Sequence, residues 1–170
     1  MANGRTGLSV AAERRLFGWG VASGPIDPSI FYSRDISLEA AASGTKDLAL
    51  VDGFSSLEQD LMVALGTALG ADPLNQGFGF EGLLVIAEET DPLIRRERLR
   101  GAIIALLRAD HRVVDVTRVL IGDEITAFRA GQTTAPPPTG GYGVLDVEVT
   151  FRIAGAATTT LTIGPLLAGA

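Results

Sequence analysis

Along this chain the apolar positions recur first every three or four residues and later every two. Leu57, Leu61, Ala64, Leu65 and Ala68 share one helical face, and Leu99, Ile103, Leu106 and Leu107 share another with Ile104 at its margin, so the spacing predicts two amphipathic helices. Ser55-Ser56-Leu57-Glu58 has the form of a capping box, which starts the first helix at about residue 56. Gly70 and Pro73 end it at about residue 69. Asp91-Pro92 supplies an N-cap and a first-turn proline for the second helix, which runs to about Ala109.

At Asp110-His111-Arg112 the period drops to two. From Val113 to Ile121 both alternating sets carry apolar residues, which predicts a strand covered on both faces, central in its sheet. Leu145, Val147, Val149, Phe151 and Ile153 alternate with Asp146, Glu148, Thr150 and Arg152, a half-buried strand. Thr158 to Ile163 form the last strand, with Thr158, Thr160 and Thr162 on one side and Leu161 and Ile163 on the other. Gly122-Asp123 and Gly155-Ala156-Ala157 are turns, and Ile125 to Arg129 read as a further short strand. The fold class this gives is α+β, two main helices packed on a small antiparallel β-meander.

The rest of the chain is less regular. Residues 1–46 mix Gly18, Gly20, Gly24, Pro25 and Pro28 with Phe17, Trp19, Phe31 and Tyr32, a composition that defeats long helices and strands and marks an N-terminal arm. Ala11 to Phe17 form one helical turn or two, and Ile30 to Leu38 a short strand. The arm's aromatics tuck either onto their own core or onto a neighbouring subunit. Residues 47–170 form the main domain. Gly77-Phe78-Gly79-Phe80-Glu81-Gly82 matches the dinucleotide-loop pattern in letters only, because no strand leads into it and two phenylalanines would crowd a pyrophosphate. It reads as a glycine-permitted bend whose phenylalanines plug the core, followed by a short helix from Leu83 to Glu89. Gly131 to Gly141 form a loop with a stiff proline centre.

Charge and composition narrow the chemistry. With 170 residues, a net charge of −6 and a pI near 4.7, the chain lacks the clustered cations of a general nucleic-acid binder. Arg95, Arg96, Arg98, Arg100 and Arg108 crowd one helix, where Glu97 and nearby acids make a solvated, counter-charged face the simplest reading and an acidic partner subunit the other. No cysteine and a single histidine leave no disulfide and few ways to hold a transition metal; neither cofactor nor metal is expected. No apolar run is long enough for a membrane span, so a soluble, unexported chain is expected. His111 has no nucleophile motif around it. Glu81, Glu88, Glu89 and Asp91 are the only carboxylates grouped enough for glycoside hydrolysis, and nothing in their spacing selects a pair. A non-enzymatic protein is expected, with no catalytic residue assigned.

Three segments in order resemble the gene-25-like baseplate wedge, or tail-sheath initiator, family of contractile tails, found in phages, contractile injection systems and type VI secretion. The first runs from Asp47-Leu48-Ala49-Leu50-Val51-Asp52-Gly53 through Leu57-Glu58-Gln59-Asp60-Leu61 to Leu65-Gly66-Thr67, similar to the family's opening helix with its Gln and trailing Thr. Pro73 with Gly77-Phe78-Gly79 resembles its glycine-rich bend, and Asp110-His111-Arg112-Val113 its Glu-Pro-Arg or Asp-Pro-Arg corner, with histidine in place of the usual proline. The likeness covers about residues 47 to 165. It implies a structural subunit, assembled in the cytoplasm into a baseplate or injection particle. Asp110, His111 and Arg112 would meet the other wedge subunits, and the last strand, Thr158, Thr159, Thr160, Leu161, Thr162 and Ile163, would take a strand of the tail sheath protein. Tube or hub proteins could engage the N-terminal arm. Two readings of the corner stay open: Arg112 reaches a partner, or Asp110 and Arg112 cap the helix and anchor the strand. The competing functions are an acidic-residue peptidoglycan hydrolase and a generic interaction domain.

Overall fold

A computed structural model describes residues 7–25, 34–134, 144–155 and 158–167. Pro28, Phe31, Tyr32, the first part of the strand expected from Ile30, residues 135–141 of the proline loop and Ala156-Ala157 lie outside the described residues. The elements in order are α1 (Val10–Phe17), β1 (Trp19–Val21), β2 (Ser23–Pro25), β3 (Arg34–Ile36), β4 (Leu38–Ala40), β5 (Lys46–Leu48), β6 (Leu50–Asp52), α2 (Phe54–Gly66), α3 (Gly82–Glu88), α4 (Pro92–Ala109), β7 (Val113–Ile121), α5 (Asp123–Arg129), β8 (Val144–Ile153) and β9 (Thr158–Leu167). The fold is α+β. β7, β8 and β9 form an antiparallel meander, and its inner face, Val119, Ile121, Val147, Val149, Phe151, Ile153 and Leu161, joins Leu57, Leu61 and Leu65 of α2 and Leu99, Ile103 and Leu107 of α4 in one core. Leu57, Leu99, Ile103 and Leu107 are fully buried, which at about 1.5–3 kcal/mol per side chain is where most of the stabilisation of the domain arises.

Several local expectations need correcting. α2 begins at Phe54 and is capped by the Gly53 backbone with no side-chain bond, so the Ser55–Glu58 capping box does not form. The chain enters the helix through Gly53 at φ +62, where an added Cβ would lie 3.0 Å from the buried Glu13 carboxylate, and this entry leaves the serines inside the first turn. α2 also ends earlier than residue 69: Thr67 is extended, its hydroxyl donates to Val63 O at 2.7 Å, and its carbonyl accepts from Phe80 N at 2.7 Å. Ile125–Arg129 belongs to a helix, α5, with Asp123 and Glu124 in its first turn, where carboxylates oppose the positive helix end. β7 is an edge strand and β8 is central. α5 packs on the outer face only toward the end of β7, with the Arg118 guanidinium 4.0 Å from the centre of the Phe128 ring, while Val114 near its start is exposed.

The arginines of α4 do not form a single solvated face. Arg95 is buried, and Arg96 and Arg100 turn inward to Glu124, at 3.4 Å and 2.8 Å. Arg100 also donates to Val119 O and Glu124 accepts from Ile121 N, so these charges fasten α4 to the end of β7 and the start of α5. Burial of Arg100 works to lower its pKa, but hydrogen bonds to Glu97 and Glu124 outweigh it and raise the value. Arg98 and Arg108 remain at the surface, paired with Glu89 and Asp115.

The N-terminal arm is stitched to the main domain. Phe17 lies in the core, its ring edge-on to Phe54 at 6.0 Å. Three chain segments, 19–25, 34–40 and 46–52, then meet as three short antiparallel pairs, β1 with β6, β2 with β3 and β4 with β5. At the centre the segments exchange partners in a closed ring of bonds: Ala22 N donates to Ala49 O at 2.8 Å, Ala49 N to Ser37 O at 2.9 Å, and Ser37 N to Ala22 O at 2.8 Å. No three-residue strand is stable alone; the ring and α2 hold them together.

Candidate functional site

The corner between α4 and β7 is built on a turn. Asp110, extended at ψ 118, is the C-cap of α4, and Val113 N donates back to Asp110 O at 3.0 Å, placing His111 and Arg112 at the two central turn positions. Asp110 folds its carboxylate over the turn and accepts from Arg112 N at 2.9 Å. The Arg112 side chain then converges on the same group, Nε to Oδ1 at 2.9 Å and Nη2 to Oδ2 at 2.6 Å, the bidentate fork that arginine makes with a carboxylate.

Nη1 of Arg112 reaches across the fold. It donates to Asp60 Oδ2 on α2 at 2.9 Å and to Phe17 O at the end of α1 at 3.1 Å. Arg112 thereby joins α1, α2 and the turn, segments up to 95 residues apart. Both ends of the pair are largely buried, with side-chain exposures of 13% and 16%. Hydrogen bonds that Arg112 donates to Asp110, and then to Asp60, raise its pKa against the effect of burial. Burial of Asp110 works to raise its own pKa, but bonds from the Arg112 side chain and amide outweigh it and hold the carboxyl below its ordinary 3.8. Of the two readings of this corner, the geometry displays the internal anchor; His111, 92% exposed, is the member that faces outward.

Beside the clamp lies a groove of about 430 Å³ between α2, the Gly77–Gly79 bend and the end of α4, lined by Leu61, Val63, Ala64, Phe78 and Leu106 with Asp60, Asp110 and Arg112 at one end. The bend is held close by glycine. At Gly79, φ +117, a Cβ would fall 2.6 Å from Ala68 O, and at Gly82 one would fall 2.1 Å from the Phe80 ring. Phe80 plugs the core as expected, whereas Phe78 is half-buried in the groove wall.

The second candidate surface is β9. It pairs with β8 from Thr158↔Arg152 to Leu167↔Val144 with one register shift, and it ends the sheet order β7-β8-β9. Thr159 and Leu161 are buried while Thr158 and Thr160 are exposed; for Thr162 and Ile163 only the backbone is described. Among the described residues no further strand lies beyond β9, so one row of its backbone groups faces outward, as on any sheet edge.

No family model matches this chain, and no curated protein matches it. Of the acidic residues considered for hydrolysis, Asp91 and Glu89 are occupied locally. Asp91 caps α4 by accepting from Leu93 N and Ile94 N, and Glu89 accepts from Asp91 N and pairs with Arg98. Glu81 and Glu88 are exposed. Among the described residues no group of three His, Asp or Glu could hold a metal ion, and no helix is long and apolar enough to cross a membrane.

One positioning residue was named in the sequence only through the resemblance. The Gln59 amide clamps the arm to α2, its Oε1 accepting from Ser23 N at 2.7 Å and its Nε2 donating to Val21 O at 2.8 Å. Its polar character on a helix start gave no hint of this; the strand it holds lies 36 and 38 residues away.

Proposed function

We propose that this chain is a structural baseplate wedge subunit of a contractile tail or injection particle, linking the baseplate core to the first sheath ring, with β9 receiving a strand of the sheath protein. The observation that carries the reading is the coincidence of an open edge strand at the end of a three-stranded meander with a pinned Asp-His-Arg corner at its start. Strand addition needs a rigid template, since backbone bonds give affinity only when the receiving edge is held in register. The meander supplies one: β8 is paired on both sides, its inner residues are fully buried, and the Arg112 clamp anchors the entry to β7. Wedge partners would engage His111 and the groove beside it.

The test is sheath assembly in a particle carrying Thr160→Lys. Thr160 is exposed on the edge strand, and a lysine there discourages strand addition at little cost to the fold. Baseplates without extended sheaths are the expected product. Full-length sheaths on the variant, with the protein present at the baseplate, would contradict the strand-addition reading.

A further inference from the structure

The three-segment junction near the N-terminus is amphipathic in the reverse of the usual sense. Side chains alternate along each strand, and at the junction Gly20, Ala22, Ser37, Ala49 and Val51 fall on the half-buried side, the side from which Gln59 of α2 reaches its backbone. The opposite side carries Trp19, Val21, Ile36, Leu38, Leu48 and Leu50, exposed by 62%, 37%, 58%, 57%, 44% and 55%. Val21 lies across from Leu50, and Leu38 from Leu48, so the side chains adjoin in one plate rather than scatter. Small and polar residues point inward and the large apolar ones outward.

Together the six expose on the order of 600 Å², at the top of the range for the largest apolar patch on a monomer. Leaving them in water would cost on the order of 25 cal/mol per Å² relative to a covered state. A second observation indicates what covers them. The same side of the junction bears charges of both signs near its rim, Arg34 and Lys46 on β3 and β5 and Asp52 on β6. Lys46 makes no ion pair among the described residues, and Asp52 meets Arg14 only at 3.7 Å. Lys46 and Asp52 stand at opposite ends of the one segment 46–52, so a twofold axis across its middle sets each charge against its opposite in a second copy. With its polar rim the face approaches the roughly 800 Å² that each partner gives to a stable interface.

We propose that this face closes against the same face of a second copy of the chain, sheet on sheet, with Asp52 of each copy set against Lys46 of the other. The inference concerns the isolated protein and stands apart from the assembly reading above: it uses neither β9 nor the corner.

Trp19 is the sole tryptophan and lies on the face, so its fluorescence reports the contact directly. Sedimentation of the full chain across a concentration series is expected to give a dimer, with Trp19 emission moving to shorter wavelength as the dimer forms. Leu38→Glu combined with Leu48→Glu is expected to weaken association at least ~100-fold, since each copy would bury two unpaired charges. Both positions are exposed, so circular dichroism should stay as in the wild type, and melting should match that of the wild type diluted to where it is monomeric. Lys46→Asp should weaken the dimer several-fold and Lys46→Asp with Asp52→Lys should restore it. A monomer at all concentrations up to ~100 μM, a dimer unaffected by the paired glutamates, or a Trp19 shift seen only on adding phosphatidylcholine vesicles would each overturn the proposal.

Discussion

The helix-to-strand corner and the three-segment junction are both places where distant parts of the chain are tied together, yet they are finished differently. At the corner the charges meet inside the chain: Arg112 is shared among Asp110, Asp60 and Phe17 O, with Asp60 half in water and His111 facing outward. At the junction the backbone is satisfied by a closed ring of bonds while the side chains above it are left in the open. The corner's charges are spent inside the chain, whereas the junction's large apolar side chains are exposed. A charged motif is not by that fact an interface, and an apolar plate left exposed among the described residues is the stronger sign of one.

Breaking the corner should give the largest effect. Arg112→Ala strands a mostly buried Asp110 carboxylate and releases α1 and α2 from the turn. It should lower unfolding free energy by about 2–3 kcal/mol, less than for a fully enclosed pair because Asp60 is half in water. Urea denaturation of the pure protein measures it; a loss under ~0.5 kcal/mol, in the range of ordinary surface substitutions, would mean that the clamp is slack.

The same pair sets an acid limit. Because the folded chain holds Asp110 below its ordinary 3.8, the unfolded chain takes up the proton first. The stabilisation is full above about pH 4 and is lost as pH falls through the depressed folded value. Asp110→Asn should be less stable at pH 7 and show a shallower fall in melting temperature between roughly pH 5 and pH 2 than the wild type. Parallel curves would remove Asp110 from the linkage.

The smallest effect sharpens the corner. His111 occupies the first central position of the Asp110–Val113 turn, the position where proline's fixed φ is favoured, and the turn's bond runs from Val113 N and not from residue 111. Asp110 is already extended, as a residue before proline must be. His111→Pro should therefore raise stability by about 0.4–1 kcal/mol through the unfolded chain, read as a higher urea midpoint at unchanged slope.

How far the sequence reaches depends on element length. α4 is legible end to end because Asp91-Pro92 starts it and apolar spacing from Leu99 to Leu107, over two turns, sustains it, and β8 because five apolar residues alternate with polar ones in its sequence. α5 is not, since seven residues starting Asp123-Glu124 hold too few periods to tell 2 from 3.6, and the same brevity hides the three-residue strands. The central placement of β7 failed for another reason: apolar residues on both faces do not count strand neighbours, and here β7 pairs with β8 alone, its outer Val114 exposed and only its far end meeting α5. At the site, Asp110-His111-Arg112 was legible as the point where the period changes, and Asp110 and Arg112 as a pair only through the resemblance to the family's corner. Their mates Asp60 and Phe17, and the Gln59 clamp, depend on contacts between segments that no local pattern carries.

Whether the chain is a wedge subunit joining baseplate to sheath is read most directly by electron microscopy of particles isolated through a tag on this protein. The expected image is a rod with a contractile sheath in which this chain sits at the baseplate end, its edge strand β9 paired with a strand from the first sheath ring. A tagged protein that comes away free of any sheathed particle, or one found in such a particle with β9 unpaired, would contradict that role.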